Sequence, residues 1–208
     1  VTGLIVTTLG YQAPVHAAAD IHFSKYRFVF DDSHRKDSLV LTNTGVNPAT
    51  CVMSTENFIM SESGPTKLAT KTDTIANSAA NILRFSPRRV TIAPGNNQTV
   101  RIASRRRPNI NDGEFVSYLK ISCQEQPNPN EVQTQQITVK PNFIYYIPLQ
   151  VRVGKLTAST RFDNIKLNAI SGRYSLTFSQ IREGNRSIVG KLEVFEKKSG
   201  DLIGNLNN

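Results

Sequence analysis

Apolar and polar residues alternate along most of the chain from Ile21 onward. The runs "HFSKYRFVF" (22–30) and "DSLVLTNTG" (37–45) carry apolar side chains mainly at alternate positions, which is typical of strands with one buried face. Similar runs follow as far as "VQTQQITVKPNFIYYIPLQVRVG" (132–154), with turn residues about every 8–12 positions. No window has the apolar spacing of an amphipathic helix. The pattern predicts an all-β sandwich of about eight strands between Asp20 and Gly154.

The alternation is interrupted at "VGKLTASTR" (153–161), a short polar segment that contains a glycine suited to a hinge. Beyond it, "RYSLTFSQI" (173–181) and "SIVGKLEVFEKKSGDLIG" (187–204) again predict strands joined by turns. An immunoglobulin-like sandwich needs about 100 residues, more than remain here. The sequence therefore predicts an N-terminal domain over residues 20–154 and a partial, apparently truncated C-terminal β domain over residues 155–208.

The first residues, "VTGLIVTTLGYQAPVHAAA", begin with an apolar stretch and end with small residues three positions apart. Such spacing suits cleavage by a signal peptidase, and the apolar stretch is too short to span a bilayer. We therefore predict that residues 1–19 are the remnant of a secretory signal peptide and that the mature protein does not insert into the membrane. The alternative is a disordered or extraneous tail.

Composition makes the chain strongly basic, with a formal net charge of +9. Nucleic acid, a membrane surface or protein carboxylates are therefore possible partners. The densest basic clusters are Arg88-Arg89 and Arg105-Arg106-Arg107, but their neighbours are Pro, Ser and Asn rather than the aromatic residues on which bases stack. Nucleic acid is therefore not predicted as a partner. The stretch "SPRR" (86–89) is interpreted instead as a corner between two strands.

Catalytic and metal-binding signatures are absent from the sequence. None of the common hydrolase, metalloprotease or nucleotide-binding motifs occurs, and the three histidines are scattered, so we predict neither an enzyme nor a bound cofactor or metal. The two cysteines, Cys51 and Cys123, do not form a C-x-x-C pair. In an exported protein they suggest one disulfide, and the alternative is two buried free thiols.

Five segments, in their order and spacing, resemble one family. They are "YRFVFDD" (26–32), "SLVLTNTG" (38–45), "RFSPRRVTIAPGNNQTVRI" (84–102), "DGEFVSYLKI" (112–121) and "IPLQVRVG" (147–154). The family is that of the PapD-like periplasmic chaperones, which assemble pili in the chaperone/usher pathway. A sixth segment, "GNRSIVGKLEVF" (184–195), resembles the start of the second domain of this family. The resemblance implies two immunoglobulin-like β-sandwich domains set at an angle.

The same resemblance implies a function. Members of the family bind newly exported pilin subunits in the periplasm, lend them an edge strand, and deliver them to an outer-membrane usher. This donor-strand complementation is a form of β-augmentation. The expected partners are therefore pilin-like subunits and an usher, and the expected location is the periplasm. The alternative is a structural or adhesive immunoglobulin-like surface protein that has the fold without chaperone activity.

Individual residues can be matched to the features of the family. Arg27 of "YRFVFDD" matches an arginine that binds the terminal carboxylate of the subunit; without the resemblance it would be an ordinary outward-facing strand residue. The lysine that accompanies this arginine in the family falls on Phe143, and the nearest basic residue is Lys140. The implied donor-strand residues are Ile137, Val139 and Phe143. The resemblance also places Cys51 and Cys123 on neighbouring strands and so implies a cross-strand disulfide.

Overall fold

A computed structural model of the chain describes residues 19–60, 66–105, 109–126, 142–170 and 173–207. Every regular element within these ranges is a β-strand, and none of the described segments forms a helix that could cross a membrane. The strands form one sheet of four, one sheet of five and three two-stranded sheets.

The first eleven strands lie before residue 154. They are β1 (Ile21–Phe23), β2 (Phe28–Phe30), β3 (Lys36–Asn43), β4 (Ala49–Glu56), β5 (Phe58–Ile59), β6 (Lys67–Leu68), β7 (Leu83–Ser86), β8 (Arg89–Ile92), β9 (Asn97–Ser104), β10 (Gly113–Glu125) and β11 (Phe143–Val153). Four strands follow. They are β12 (Ala158–Ile170), β13 (Arg173–Gly184), β14 (Lys191–Phe195) and β15 (Leu202–Asn207).

Two sheets enclose the apolar core. Their strand orders are β1-β3-β9-β7 and β2-β11-β10-β4-β8. Alternate residues point inward, as in β7, where Leu83 and Phe85 are buried while Arg84 and Ser86 are exposed. The core cluster of described buried residues runs from Ala19 to Val153 and draws on both sheets. Its largest fully buried apolar side chains are Phe28, Phe30, Leu39, Leu41, Ile102, Leu119, Ile121 and Leu149.

The run 22–30, which the alternation predicts as one strand, is divided between the two sheets. β1 pairs antiparallel with β3, whereas β2 pairs parallel with β11. The division follows from Ser24, whose amide donates to the carbonyl oxygen of Val40 while its hydroxyl accepts from the Val40 amide. These bonds end β1, and the exposed residues up to Arg27 carry the chain across to the second sheet.

The "SPRR" stretch is a corner, as the sequence indicates. Pro87 separates β7 of the first sheet from β8 of the second, and the Ser86–Pro87 peptide bond is cis. Arg88 and Arg89 are exposed, and the Arg88 guanidinium lies 5.1 Å from the centroid of the Phe85 ring. These arginines therefore flank a change of sheet.

The disulfide implied by the resemblance is present. Cys51 of β4 lies directly opposite Cys123 of β10 in an antiparallel ladder, and their sulfur atoms are bonded. Both residues are buried in the five-stranded sheet. The bond closes a loop with a sequence separation of 72 residues.

Two hairpins follow the core sheets. β12 pairs antiparallel with β13, and β14 pairs antiparallel with β15, so strands form where the sequence predicts a second β unit. A bulge between Asp163 and Lys166 interrupts the first hairpin, and Asn164 there has a φ of 54°. Most described side chains of both hairpins are exposed.

Replacing both cysteines should destabilise the fold. The Cys51→Ala/Cys123→Ala variant is expected to lose about 4 kcal/mol of unfolding free energy. The reason is that a disulfide closing a loop of this length lowers the conformational entropy of the unfolded chain. Urea titration would measure the loss. A reducing agent should lower the stability of the parent by a similar amount and leave that of the variant unchanged. Equal stability of the oxidised parent and the variant would contradict the prediction.

Candidate functional site

One edge of β11 is only partly covered. On one side, β11 pairs with β10 along its whole length, from Phe143 opposite Cys123 to Val153 opposite Gly113. On the other side, β2 pairs with β11 only from Leu149 to Val151. Within the described part of the chain, no strand pairs with this side of β11 between Phe143 and Pro148. We call this segment the open edge.

Apolar side chains continue the core along the open edge. Ile147, Tyr145 and Phe143 follow at alternate positions, so they lie on the inward face of the sheet. Ile147 is buried, Tyr145 is partly buried and Phe143 is 52% exposed. The Tyr145 ring packs edge-on against Phe23, with 4.7 Å between ring centroids. The inward face therefore becomes progressively more exposed towards Phe143.

The outward face of the same edge carries Ile144 and Tyr146. Ile144 is 44% exposed, which is close to the exposure of Phe143. The Tyr146 ring packs edge-on against Phe58, with 5.0 Å between centroids, and Phe58 also contacts the ring of Tyr118. Exposed apolar side chains thus stand on both faces of the open edge, but only the inward series is continuous with the core.

Arg27 lies at the end of the open edge. Phe28, the next residue, is the first of β2 and pairs with Leu149. Arg27 is exposed and has neither a hydrogen-bond nor an ion-pair partner among the described residues. The nearby Lys25, by contrast, forms a salt bridge with Asp37, with 2.6 Å between Nζ and Oδ1. Arg27 is therefore available to an anion at the point where the open edge meets β2.

The predicted site residues are only partly within the described structure. Ile137, Val139 and Lys140 lie outside the described residues, so their roles stay predictions. Phe143 is the first residue of β11 and stands at the start of the open edge. Tyr145 and Ile147 are not among the site residues predicted from the sequence, although "FIYYIP" (143–148) places them two and four positions after Phe143. That spacing was the available signal.

Away from the open edge, a polar cluster joins the five-stranded sheet to the residues before β14. Glu114 is buried; its carboxylate accepts from the Arg152 Nε at 3.0 Å and from the Ser187 amide at 3.1 Å. Gln150 donates to the Ser187 hydroxyl at 3.1 Å. Burial raises the pKa of Glu114, but the hydrogen bonds from Ser187 and Arg152 and the charge of Arg152 outweigh it, so the net pKa is lowered.

The cluster has a structural role rather than an obvious chemical one. Each oxygen of the buried Glu114 carboxylate accepts a hydrogen bond, one from Arg152 and the other from the Ser187 amide. Across the described ranges, no group of three or more His, Cys, Asp or Glu side chains comes together in a way that could hold a metal ion.

No protein-family model matches the chain, and no curated protein matches it in sequence. Solved structures do match. A chain from a chaperone–tip adhesin complex of CFA/I fimbriae biogenesis aligns with a TM-score of 0.54 at 11% identity, over 91% of this chain and 80% of that chain. The class 5 fimbriae chaperone CfaA aligns with a TM-score of 0.53 at 13% identity, over the same shares. The likeness confirms the all-β, PapD-like immunoglobulin fold predicted from the sequence.

The Glu114 cluster should make stability depend on pH. Because its pKa is lowered from the ordinary value of 4.5, the ionised carboxylate stabilises the fold above that pH, and the contribution is lost as the pH falls through the lowered pKa. Glu114→Gln should cost about 2 kcal/mol of unfolding free energy at pH 7, because a charged buried acceptor is lost. The difference between parent and variant should shrink in acid.

Urea titrations of parent and variant between neutral and acid pH would measure this difference. The matched control is Glu183→Gln, which removes an exposed carboxylate that pairs with Arg161 at 3.2 Å. An exposed pair contributes little, so the control should change stability by less than about 1 kcal/mol. A difference for Glu114→Gln that does not vary with pH would contradict the role given to its carboxylate.

Proposed function

We propose that this protein is a periplasmic chaperone that binds pilin-like subunits through the open edge of β11. The observation that carries the proposal is that three features coincide at one place. They are a stretch of β11 with no neighbour on one side among the described strands, inward apolar side chains along it, and Arg27 at its end, without a partner among the described residues. Each feature supplies one part of what strand donation requires.

The unpaired backbone supplies the main attraction. Amide and carbonyl groups along an open edge can form a ladder with an extended segment of another chain, which adds a strand to the sheet. An incomplete subunit exposes a complementary edge and an apolar groove, both of which promote aggregation. Pairing with β11 covers the edge of the subunit and removes its groove from water.

β2 limits how far an added strand can extend along β11. β2 runs parallel to β11 and already occupies the continuation of the same edge. A segment that runs parallel to β11 along the open edge therefore has to end where β2 begins, beside Arg27. If that segment is the C-terminus of the subunit, its carboxylate meets the Arg27 guanidinium and forms charge-assisted hydrogen bonds.

The inward side chains supply apolar contact. Phe143 and Tyr145 would enter the groove of the subunit at alternate positions, and Ile137 and Val139 would extend the same series upstream. Lys140 is the candidate for a second cation on the sequence alone, because the family has a lysine where this chain has Phe143. These upstream roles rest on the sequence and on the resemblance.

The wider assignment follows from the same proposal. Residues 1–19 would direct export, residues 20–154 would form the subunit-binding domain, and residues 155–208 would belong to a second β domain. Delivery to an outer-membrane usher would complete the cycle. The Cys51–Cys123 disulfide supports an oxidising compartment such as the periplasm. The mechanism needs no catalytic residue and no cofactor.

The open edge can be tested through its two faces. Phe143→Ser should weaken binding of an extended peptide with alternating apolar residues about tenfold, because a large apolar contact is lost. The matched control is Ile144→Ser, which removes a similarly exposed side chain from the outward face and should change affinity by less than about threefold. Fluorescence anisotropy with a labelled peptide would measure both. Equal losses would contradict the assignment of the inward face.

The carboxylate anchor can be tested separately with the same peptide in two forms. The parent should bind the form with a free C-terminal carboxylate about tenfold more tightly than the C-terminal amide, since one charge-assisted contact distinguishes them. Arg27→Ala should abolish this preference. Arg89→Ala, which removes an exposed arginine from β8 at the opposite edge of the sheet, should preserve it. An Arg27→Ala protein that still prefers the carboxylate would exclude Arg27 as the anchor.

A further inference from the structure

A second basic surface lies on the other sheet. Lys36 of β3, Arg84 of β7 and Arg101 of β9 all point outward from the four-stranded sheet, as the alternation of buried and exposed residues shows. We call these three side chains the basic face. The face is separate from the open edge, because β11 belongs to the five-stranded sheet.

The strand register brings the three cations together. Ala103 of β9 lies opposite Lys36 on one side and opposite Arg84 on the other. Arg101 stands two residues along β9, on the same face as Ala103. Neighbouring strands are about 5 Å apart, so the backbones that carry Lys36 and Arg84 are about 10 Å apart with a small side chain between them.

This arrangement leaves a depression in the sheet surface. Its volume is about 500 Å³, and it is open to solvent. Its lining consists of Lys36, Arg84, Arg101, Ser86 and Ala103, together with Phe85, Ile102 and Asp37, whose carboxylate is paired with Lys25. The small side chains leave the space, and the longer cationic ones border it. The depression is therefore large enough for a few side chains of another molecule.

No described side chain neutralises the basic face from the outside. Lys36 and Arg101 have no ion-pair or hydrogen-bond partner among the described residues, and Arg84 donates only to backbone carbonyl oxygens, among them that of Leu83 at 2.6 Å. The outward positions of the four described strands include no acidic residue. The nearby Asp37 is bonded to Lys25.

We propose that the basic face binds a short acidic segment of a partner protein, whose carboxylates contact Lys36, Arg84 and Arg101 while an adjacent apolar side chain fills the depression over Ala103. Guanidinium groups suit carboxylates because they can form paired hydrogen bonds. The occupant is a peptide rather than a bilayer, because lipid-binding clusters carry about 4–8 basic residues and this concave face carries three. A long polyanion would likewise need a longer track of charge.

The test uses the whole chain and a short peptide that alternates Glu with Leu. Both ends of the peptide are blocked, so that it carries no terminal carboxylate for Arg27. The variant is Lys36→Gln/Arg101→Gln, which leaves the backbone contacts of Arg84 intact. The matched control is Lys71→Gln/Arg89→Gln; each double variant lowers the formal net charge from +9 to +7. Circular dichroism and thermal unfolding would check that both variants fold.

Binding is measured at about 50 mM salt, where screening is moderate. The parent and the control should bind the Glu peptide, with the control within about threefold of the parent, and Lys36→Gln/Arg101→Gln should bind at least about tenfold more weakly. A peptide with Gln in place of Glu should bind the parent and Lys36→Gln/Arg101→Gln with the same affinity, because only the open edge is left to bind it. This set of results would support the proposal whatever happens to binding at the open edge.

Three outcomes would overturn it. The first is no binding of the Glu peptide by the parent. The second is equal weakening in both double variants, which would indicate net charge alone. The third is tighter binding of a heparin oligosaccharide, or of vesicles of phosphatidylcholine and phosphatidylglycerol, with the same dependence on Lys36 and Arg101. That result would assign the face to a polyanion or a lipid surface instead.

Discussion

The unequal pairing of the two sides of β11 determines the rest of the arrangement. β10 supports β11 from Phe143 to Val153, whereas β2 covers only Leu149 to Val151. Where β11 pairs with β2, its inward side chains belong to the core. Along the open edge, Tyr145 and Phe143 lie on the same inward face, which becomes more exposed towards Phe143. The boundary between these two stretches is also where Arg27 stands. One backbone constraint therefore places the apolar surface, the unpaired edge and the cation next to one another.

The positive charge of the chain is distributed unevenly over this framework. Arg27 is a single cation at the end of a strand, whereas Lys36, Arg84 and Arg101 form a group on the opposite sheet. Arg152 is different again, because it is engaged with the buried Glu114. A net charge alone predicts none of these distinctions. They depend on which face of which strand each residue occupies, and on whether a carboxylate lies within reach.

The sequence predicts the local features well and the long-range ones poorly. Alternation predicts the all-β class because burial on one face imposes a period of two residues. It does not predict that the run 22–30 divides at Ser24, since that break depends on a bond to Val40. It also does not reveal that Glu114 meets Arg152 and Ser187, which are distant in sequence. The alternation of apolar residues includes Tyr145 and Ile147, but their importance depends on how far β2 extends along β11.

The Cys51–Cys123 disulfide has a consequence beyond stability. Cys123 lies opposite Phe143 in the ladder between β10 and β11, so the covalent link stands level with the start of the open edge. It joins β10 to β4 at this level of the five-stranded sheet. A surface that is already ordered loses less conformational entropy when another chain docks on it. If the open edge binds a strand as proposed, the disulfide would lower the entropy cost of that binding by ordering β10 beside it.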